Sequence, residues 1–100
     1  MPDFILLMHD DAPDRDDGAG EDWGPYIAGL QASGHFQGGS AIGDGVSARK
    51  TGPAPGVTRH LAGYIRISAD SLGHARTLLI GNPVFEAGGT VEIRALPKTE

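Results

Sequence analysis

Residues 59–85, RHLAGYIRISADSLGHARTLLIGNPVF, constrain the fold more than any other stretch of this chain. Leu61, Gly63, Ile65 and Ile67 alternate with His60, Ala62, Tyr64 and Arg66. Alternation with period two marks a strand with one apolar face. Its second face carries an imidazole, a phenol and a guanidinium in a row. Asp70 or Ser71 is placed to cap a following helix by accepting bonds from its first free N–H groups. Leu72, Ala75 and Leu79 then recur at helical spacing, with Leu78 beside them. Gly81 suits the left-handed position after a helix, and Pro83 forbids its continuation. The stretch is therefore a βα unit whose helix covers the apolar face of a sheet.

The other elements must fit around that unit. Phe4 to Met8, FILLM, reads as a buried strand ending in His9, Asp10 and Asp11. Residues 10–22 are acidic and glycine-bearing without periodicity, a loop. A helix is predicted to start near Asp22, with Pro25 in its first turn, where a missing N–H costs nothing. Trp23, Ile27 and Leu30 share one face of it, flanked by Tyr26, and Ser33-Gly34 ends it. Residues 35–43, HFQGGSAIG, read as a second strand whose glycines suggest a bulge or a close backbone approach. Asp44-Gly45 is a hairpin turn signal, with Val46 to Lys50 returning as a short strand. Thr51 to Thr58 is a Gly/Pro loop. Val91, Ile93 and Ala95 alternate with Glu92, Arg94 and Leu96 in a last strand. The order is βαβββαβ, or βαββαβ if the middle hairpin is minor. That is the ferredoxin-like order, an α+β fold with an antiparallel sheet and two helices on one face.

Composition narrows the class. One hundred residues make a single domain, 1–100. A net charge of −5 argues against non-specific nucleic-acid binding. The absence of cysteine excludes disulfides, thiolate metal sites and thiol catalysis. No apolar run approaches the ~20 residues needed to span a bilayer. The N-terminus lacks the basic region of a secretory signal, so the expected location is cytoplasmic, with no membrane partner.

Four pieces together resemble the YCII-related family and its branch called the DGPF-domain proteins. FILLMHDD is similar to the family's first strand and its acidic turn. WGPYIAGLQASG resembles its first helix, LAGYIRISADSLGHA its Gly-Gly-Tyr strand and following helix, and NPVFEAGGTVEIRAL its terminal turn and strand. The pieces span most of the chain in the family's order. Two departures stand out. The Asp-Gly-Pro-Phe motif is absent, Gly52-Pro53 being followed by Ala54. The first-helix histidine of some members is replaced by Trp23, so their His–Asp dyad does not carry over. The resemblance implies a dimeric α+β barrel with the bare sheet faces of two subunits packed together. It implies no particular reaction.

Two functions follow as expectations. The first is a small-molecule-binding homodimer, with metal-free acid/base chemistry if it is an enzyme, on a small polar or anionic molecule. His9, Asp10 and His60 are the candidate catalytic residues. Trp23, Tyr26, Tyr64 and Arg66 are the candidate binding residues. An aspartate-oriented His9 would be a general base, and Arg66 would clamp an anion. The second is a non-catalytic interaction or regulatory module. For it, the row on the strand is dimer packing, with Glu92 paired to Arg66 or Arg94. Neither expectation includes a cofactor or metal. No histidine pair has helical metal spacing, and the acidic loop at Asp14, Asp16 and Gly18 departs from calcium-loop spacing. Residues 44–51 lack the glycines of a phosphate loop, and Ser40 and Ser47 lack a nucleophile's context.

Overall fold

In the structure, a computed structural model, residues 2–12 and 19–97 are described. The elements run β1 (Asp3–His9), α1 (Ala19–Ala32), β2 (Phe36–Ala41), β3 (Leu61–Ser68), α2 (Leu72–Thr77), α3 (Pro83–Glu86) and β4 (Val91–Leu96). The four strands form one sheet in the order β2-β3-β1-β4, with each neighbouring pair antiparallel. This is the ferredoxin-like βαββαβ arrangement with one extra helical turn. The acidic-loop positions read above at 13–18 lie outside the described residues.

Pleating divides the sheet into two unlike faces. Phe4, Leu6 and Met8 of β1 lie beside Ile67, Ile65 and Gly63 of β3 and beside Ala95, Ile93 and Val91 of β4. This face packs under the helices. Leu6 and Ile67 are fully buried on it, and Tyr26 and Leu30 of α1 and Ala75 and Leu79 of the α2 region close the core. The opposite face has no helix over it. Ile5 lies between Arg66 and Arg94, and Leu7 lies between Tyr64 and Glu92. Both apolar side chains are half-buried there. The sequence reading took FILLM as simply buried. Its alternation instead gives β1 one core face and one mixed face, because β1 is a central strand of a sheet covered on one side.

Local structure departs from expectation in four places. First, α1 starts three residues earlier than Asp22, so Pro25 stands inside it. There the proline is exposed, and the helix forgoes one backbone bond. Second, the returning strand at Val46–Lys50 does not form. Residues 42–60 hold neither helix nor strand, because the Gly/Pro content leaves no alternating apolar face to pair. Third, Leu72 is exposed rather than on the packed face. It opens α2 directly after the cap, and core contact begins one turn later at Ala75. Ser71 is that cap, its hydroxyl accepting from the His74 N–H at 3.1 Å. Fourth, α2 already ends at Thr77, capped at Leu78, before the left-handed Gly81 at φ +90°, so Pro83 does not stop it but starts α3. Proline is favoured in a first turn for its fixed φ and missing donor.

Sequence reading passed over Asn82, which organises that corner. It is fully buried. Its Oδ1 accepts from the N–H groups of Val84 and Phe85 at 3.0 and 3.1 Å. An asparagine N-cap inside the core satisfies the first N–H groups of α3 and so orders the link between α2 and β4.

Candidate functional site

The polar residues gather in two places on opposite sides of the sheet. The first is the end of β1. A register shift between Met8 and His9 pairs His9 with Leu61. His60 itself lies one residue before β3, in a bend. The irregularity brings the two imidazoles to a centroid distance of 4.7 Å, tilted by 48°. His9 Nε2 lies 3.2 Å from Glu92 Oε1, and Glu92 Oε2 accepts from Arg94 at 3.0 Å. The carboxylate that orients His9 is therefore Glu92 of β4, not Asp10 or Asp11. Adjacent residues on a strand diverge, whereas β4 runs beside β1 on the same face. Arg66 does not pair with Glu92, because β1 separates their strands by two spacings of about 4.8 Å each. Its guanidinium instead donates to the Gln37 carbonyl at 3.0 Å. Gly38, at φ +138° in the β2 bulge, leaves the room for it.

Two neighbours brace this end. Asp11 accepts from the Thr90 N–H at 2.8 Å and the Thr90 hydroxyl at 2.7 Å. These bonds hold its carboxyl below the usual range, since both favour the charged form. Asp10 is exposed, and its N–H donates to the His60 carbonyl. Asp10 and Arg59 both line an open groove of about 520 Å³, together with Ile42, Asp44, Val57 and Leu61.

Glu92 also titrates below the usual carboxylate range, first through Arg94 and then through His9. A carboxylate depressed on folding stabilises the fold above its unfolded value of about 4.3, and that contribution is lost as pH falls through the folded value. Thermal stability of the native chain should thus exceed that of Glu92→Gln at neutral pH. The gap should begin to narrow below about pH 4.3, as the unfolded carboxyl takes up its proton, and close only once the folded carboxyl is protonated too. A gap of constant size across melts from pH 3 to 7 would show that the pairing with Arg94 and His9 contributes nothing.

The second place is a cavity of about 450 Å³ on the helix side. Trp23 and Ile27 of α1, Phe36 of β2, Met8 of β1 and Val84 of α3 supply apolar walls. Gly39 and Gly63 form part of its lining, opposite those bulky side chains. Ser40 and Tyr64 border it as well, but the pleat turns their side chains to the open face, where the Ser40 hydroxyl donates to the Ala41 carbonyl at 2.9 Å. No carboxylate or imidazole lines it. Tyr26, by contrast, is a core residue. Its hydroxyl donates to the Leu78 carbonyl at 2.7 Å, and burial pushes its pKa up.

Of the residues singled out by sequence, the structure brings His9 and His60 together and sets Trp23 in a cavity wall, while the Tyr64 side chain lies on the open face of the sheet. Asp10 lies near the first group, while Tyr26 and Arg66 join neither. Glu92 was read only as an ion-pair partner. Its role beside His9 depends on a pairing 83 residues apart in sequence, which no local pattern signals. Among the described residues no cluster of three or more His, Asp or Glu is arranged to hold a metal. No described helix is long and apolar enough to cross a membrane.

No family model matches the chain, and no curated protein is significantly similar to it. Among solved structures, the chain is similar to 5-chloro-2-hydroxyhydroquinone dehydrochlorinase (TftG) from Burkholderia phenoliruptrix AC1100, in complex with 2,5-dihydroxybenzoquinone. The TM-score is 0.56 at 13% identity, over 97% of this chain and 95% of that one. At that identity the likeness is one of fold. The chain has the fold of that enzyme over nearly its whole length.

Proposed function

We propose that this chain is a small-molecule-binding protein of the YCII-related kind, acting as a homodimer, with its ligand in the cavity beneath α1. The observation that carries the reading is the cavity itself. A cleft of about 450 Å³ walled by Trp23, Ile27, Phe36 and Val84 is of the size and character of small-molecule sites, which span roughly 300–1,000 Å³. Its lining suits a flat, mainly apolar ring, whose hydroxyl groups would sit at the open mouth of the cleft. Burying Ile5 and Leu7 of the open sheet face against the same face of a second copy supports the homodimer. Sedimentation velocity over a micromolar concentration series tests that part, and a species of single-chain mass throughout would refute it.

Trp23 is the chain's single tryptophan, so its emission reports on the cavity directly. Titration with 2,5-dihydroxybenzoquinone, the ring held by the dehydrochlorinase, and with simple dihydroxybenzenes should change that emission saturably. Ala41→Leu, at the exposed rim of the cavity, should fill the opening and weaken binding at least tenfold. Its stability should stay within about 0.5 kcal/mol, as for surface changes. An emission that no ring in the panel alters, or a variant that binds as the native chain does, refutes the reading.

A second reading has its own observation. His9, held by Glu92 and tilted against His60, is an oriented imidazole beside a second one at the mouth of a polar groove. With Nε2–H donated to Glu92, His9 Nδ1 would serve as a base and His60 as the matching acid. The ligand there would be polar, with Arg59 available to an anionic group. This acid/base site and the apolar cavity lie on opposite faces of the sheet, so His9 cannot act on a ring bound under α1. Binding without turnover in the cavity is the simpler function, and it leaves room for a non-catalytic role. The His9 pairing is what the Glu92→Gln pH series examines.

A further inference from the structure

The connection between β2 and β3 is the largest part of the molecule that the fold does not use. Every residue from 42 to 60 is exposed. The Ile42 N–H bonds the Ala62 carbonyl and the His60 carbonyl accepts from Asp10, and these bonds tie down its two ends. Between them, residues 43–59 make no hydrogen bond or ion pair to any described residue. Connections longer than about 12–15 residues without structure of their own are uncommon in compact domains, and usually functional or linker segments.

The shape of the chain reflects this. Its radius of gyration is 14.9 Å and its extents are 46 × 41 × 19 Å, whereas a compact domain of this length has a radius near 13 Å. Val46 stands 91% exposed on the segment, and Ile42 and Val57 are exposed beside its two ends. Its charge is also unlike that of the rest. The segment carries Arg49, Lys50 and Arg59 and a single acid, Asp44, a basic stretch in a chain whose net charge is −5. The remainder is accordingly more acidic than the whole.

We propose that residues 43–59 form an arm that reaches onto a second copy of this chain, its cations against the acidic body of that copy. The inference rests on the homodimer reading above and adds the element that holds it. In a two-fold assembly each arm meets the body of the other subunit, so the complementarity counts twice. The same attraction within one chain is not used, since Arg49 and Lys50 pair with no described residue. The arm's prolines, Pro53 and Pro55, and its glycine at φ +79°, Gly52, suit an extended strap with a turned tip.

The test compares the native chain with one in which residues 46–56 are replaced by Gly-Asn-Gly, and with Arg49→Glu/Lys50→Glu. The shortened chain keeps residues 42–45 and 57–59, which line the polar groove. Sedimentation velocity over a micromolar concentration series should find the native chain dimeric. Both variants should dissociate at least tenfold more readily, with unchanged far-UV circular dichroism and unchanged ring binding in the cavity. Trypsin should cut after Arg49 and Lys50 slowly in the concentrated native protein and quickly on dilution. A shortened chain that dimerises as the native one does overturns the arm and leaves the sheet-face dimer standing. A native chain that stays monomeric throughout overturns both, while ring binding to Trp23 is measured independently of either.

Discussion

Leu6→Ala should lower stability by about 2–5 kcal/mol, the range for leucine truncations in closed cores. Leu6 is fully buried in the middle of β1, with Ile65 of β3 on one side and Ile93 of β4 on the other. Truncating it empties the junction of all the core-facing strands at once. The cavity cannot collapse easily, because β1 is hydrogen-bonded along both edges. Domains of about this size lose roughly 4–8 °C of Tm per kcal/mol, so the variant should melt at least ~8 °C lower. Urea unfolding with an unchanged slope would assign the loss to the native state. A loss below about 1 kcal/mol, less than half the low end for such sites, would mean that β1 is not the central strand.

The second large effect concerns a residue with no side chain. A Cβ on Gly39 would sit 2.6 Å from the Tyr64 carbonyl oxygen and 3.1 Å from the Ile65 Cα. Both are backbone atoms of the paired strand and cannot turn aside. Gly39→Ala must therefore lift β2 from β3 or slide its register, at an overpacking cost of about 1–3 kcal/mol. It should also disturb the cavity, whose lining includes Gly39. Gly29→Ala is the matched control. That glycine lies exposed in α1 with nothing within 4 Å of the added carbon. The substitution should stabilise the chain by roughly 0.5–1 kcal/mol through helix propensity. Equal effects at the two positions, measured by chemical denaturation, would contradict the strand contact.

Much of this architecture was legible because it is local. The alternation in β3 and β4, the Ser71 cap, the left-handed Gly81 and the apolar stripe of α1 depend on residues within a few positions of each other. Their periods are fixed by backbone geometry, and so the sequence alone determined the element order apart from the middle hairpin and α3, and the apolar faces of β3 and β4. The resemblance to YCII-related proteins pointed to the same α+β arrangement.

The site was legible only in pieces. His9 and His60 were singled out as types capable of proton transfer, but nothing in the sequence placed them against each other. The register shift at the end of β1 did that. Glu92 was expected to pair with Arg66 or Arg94; it pairs with Arg94, and also with His9, which was not expected. Which cation a carboxylate meets depends on strand order, and strand order is a long-range choice among pairings of similar local quality. The apolar cavity has the same origin, since its walls come from five separate elements and part of its lining from glycines. Periodicity tells a strand which side to bury; only the packed sheet decides which strand lies next to it, where two faces fail to meet, and what stretch of chain is left outside.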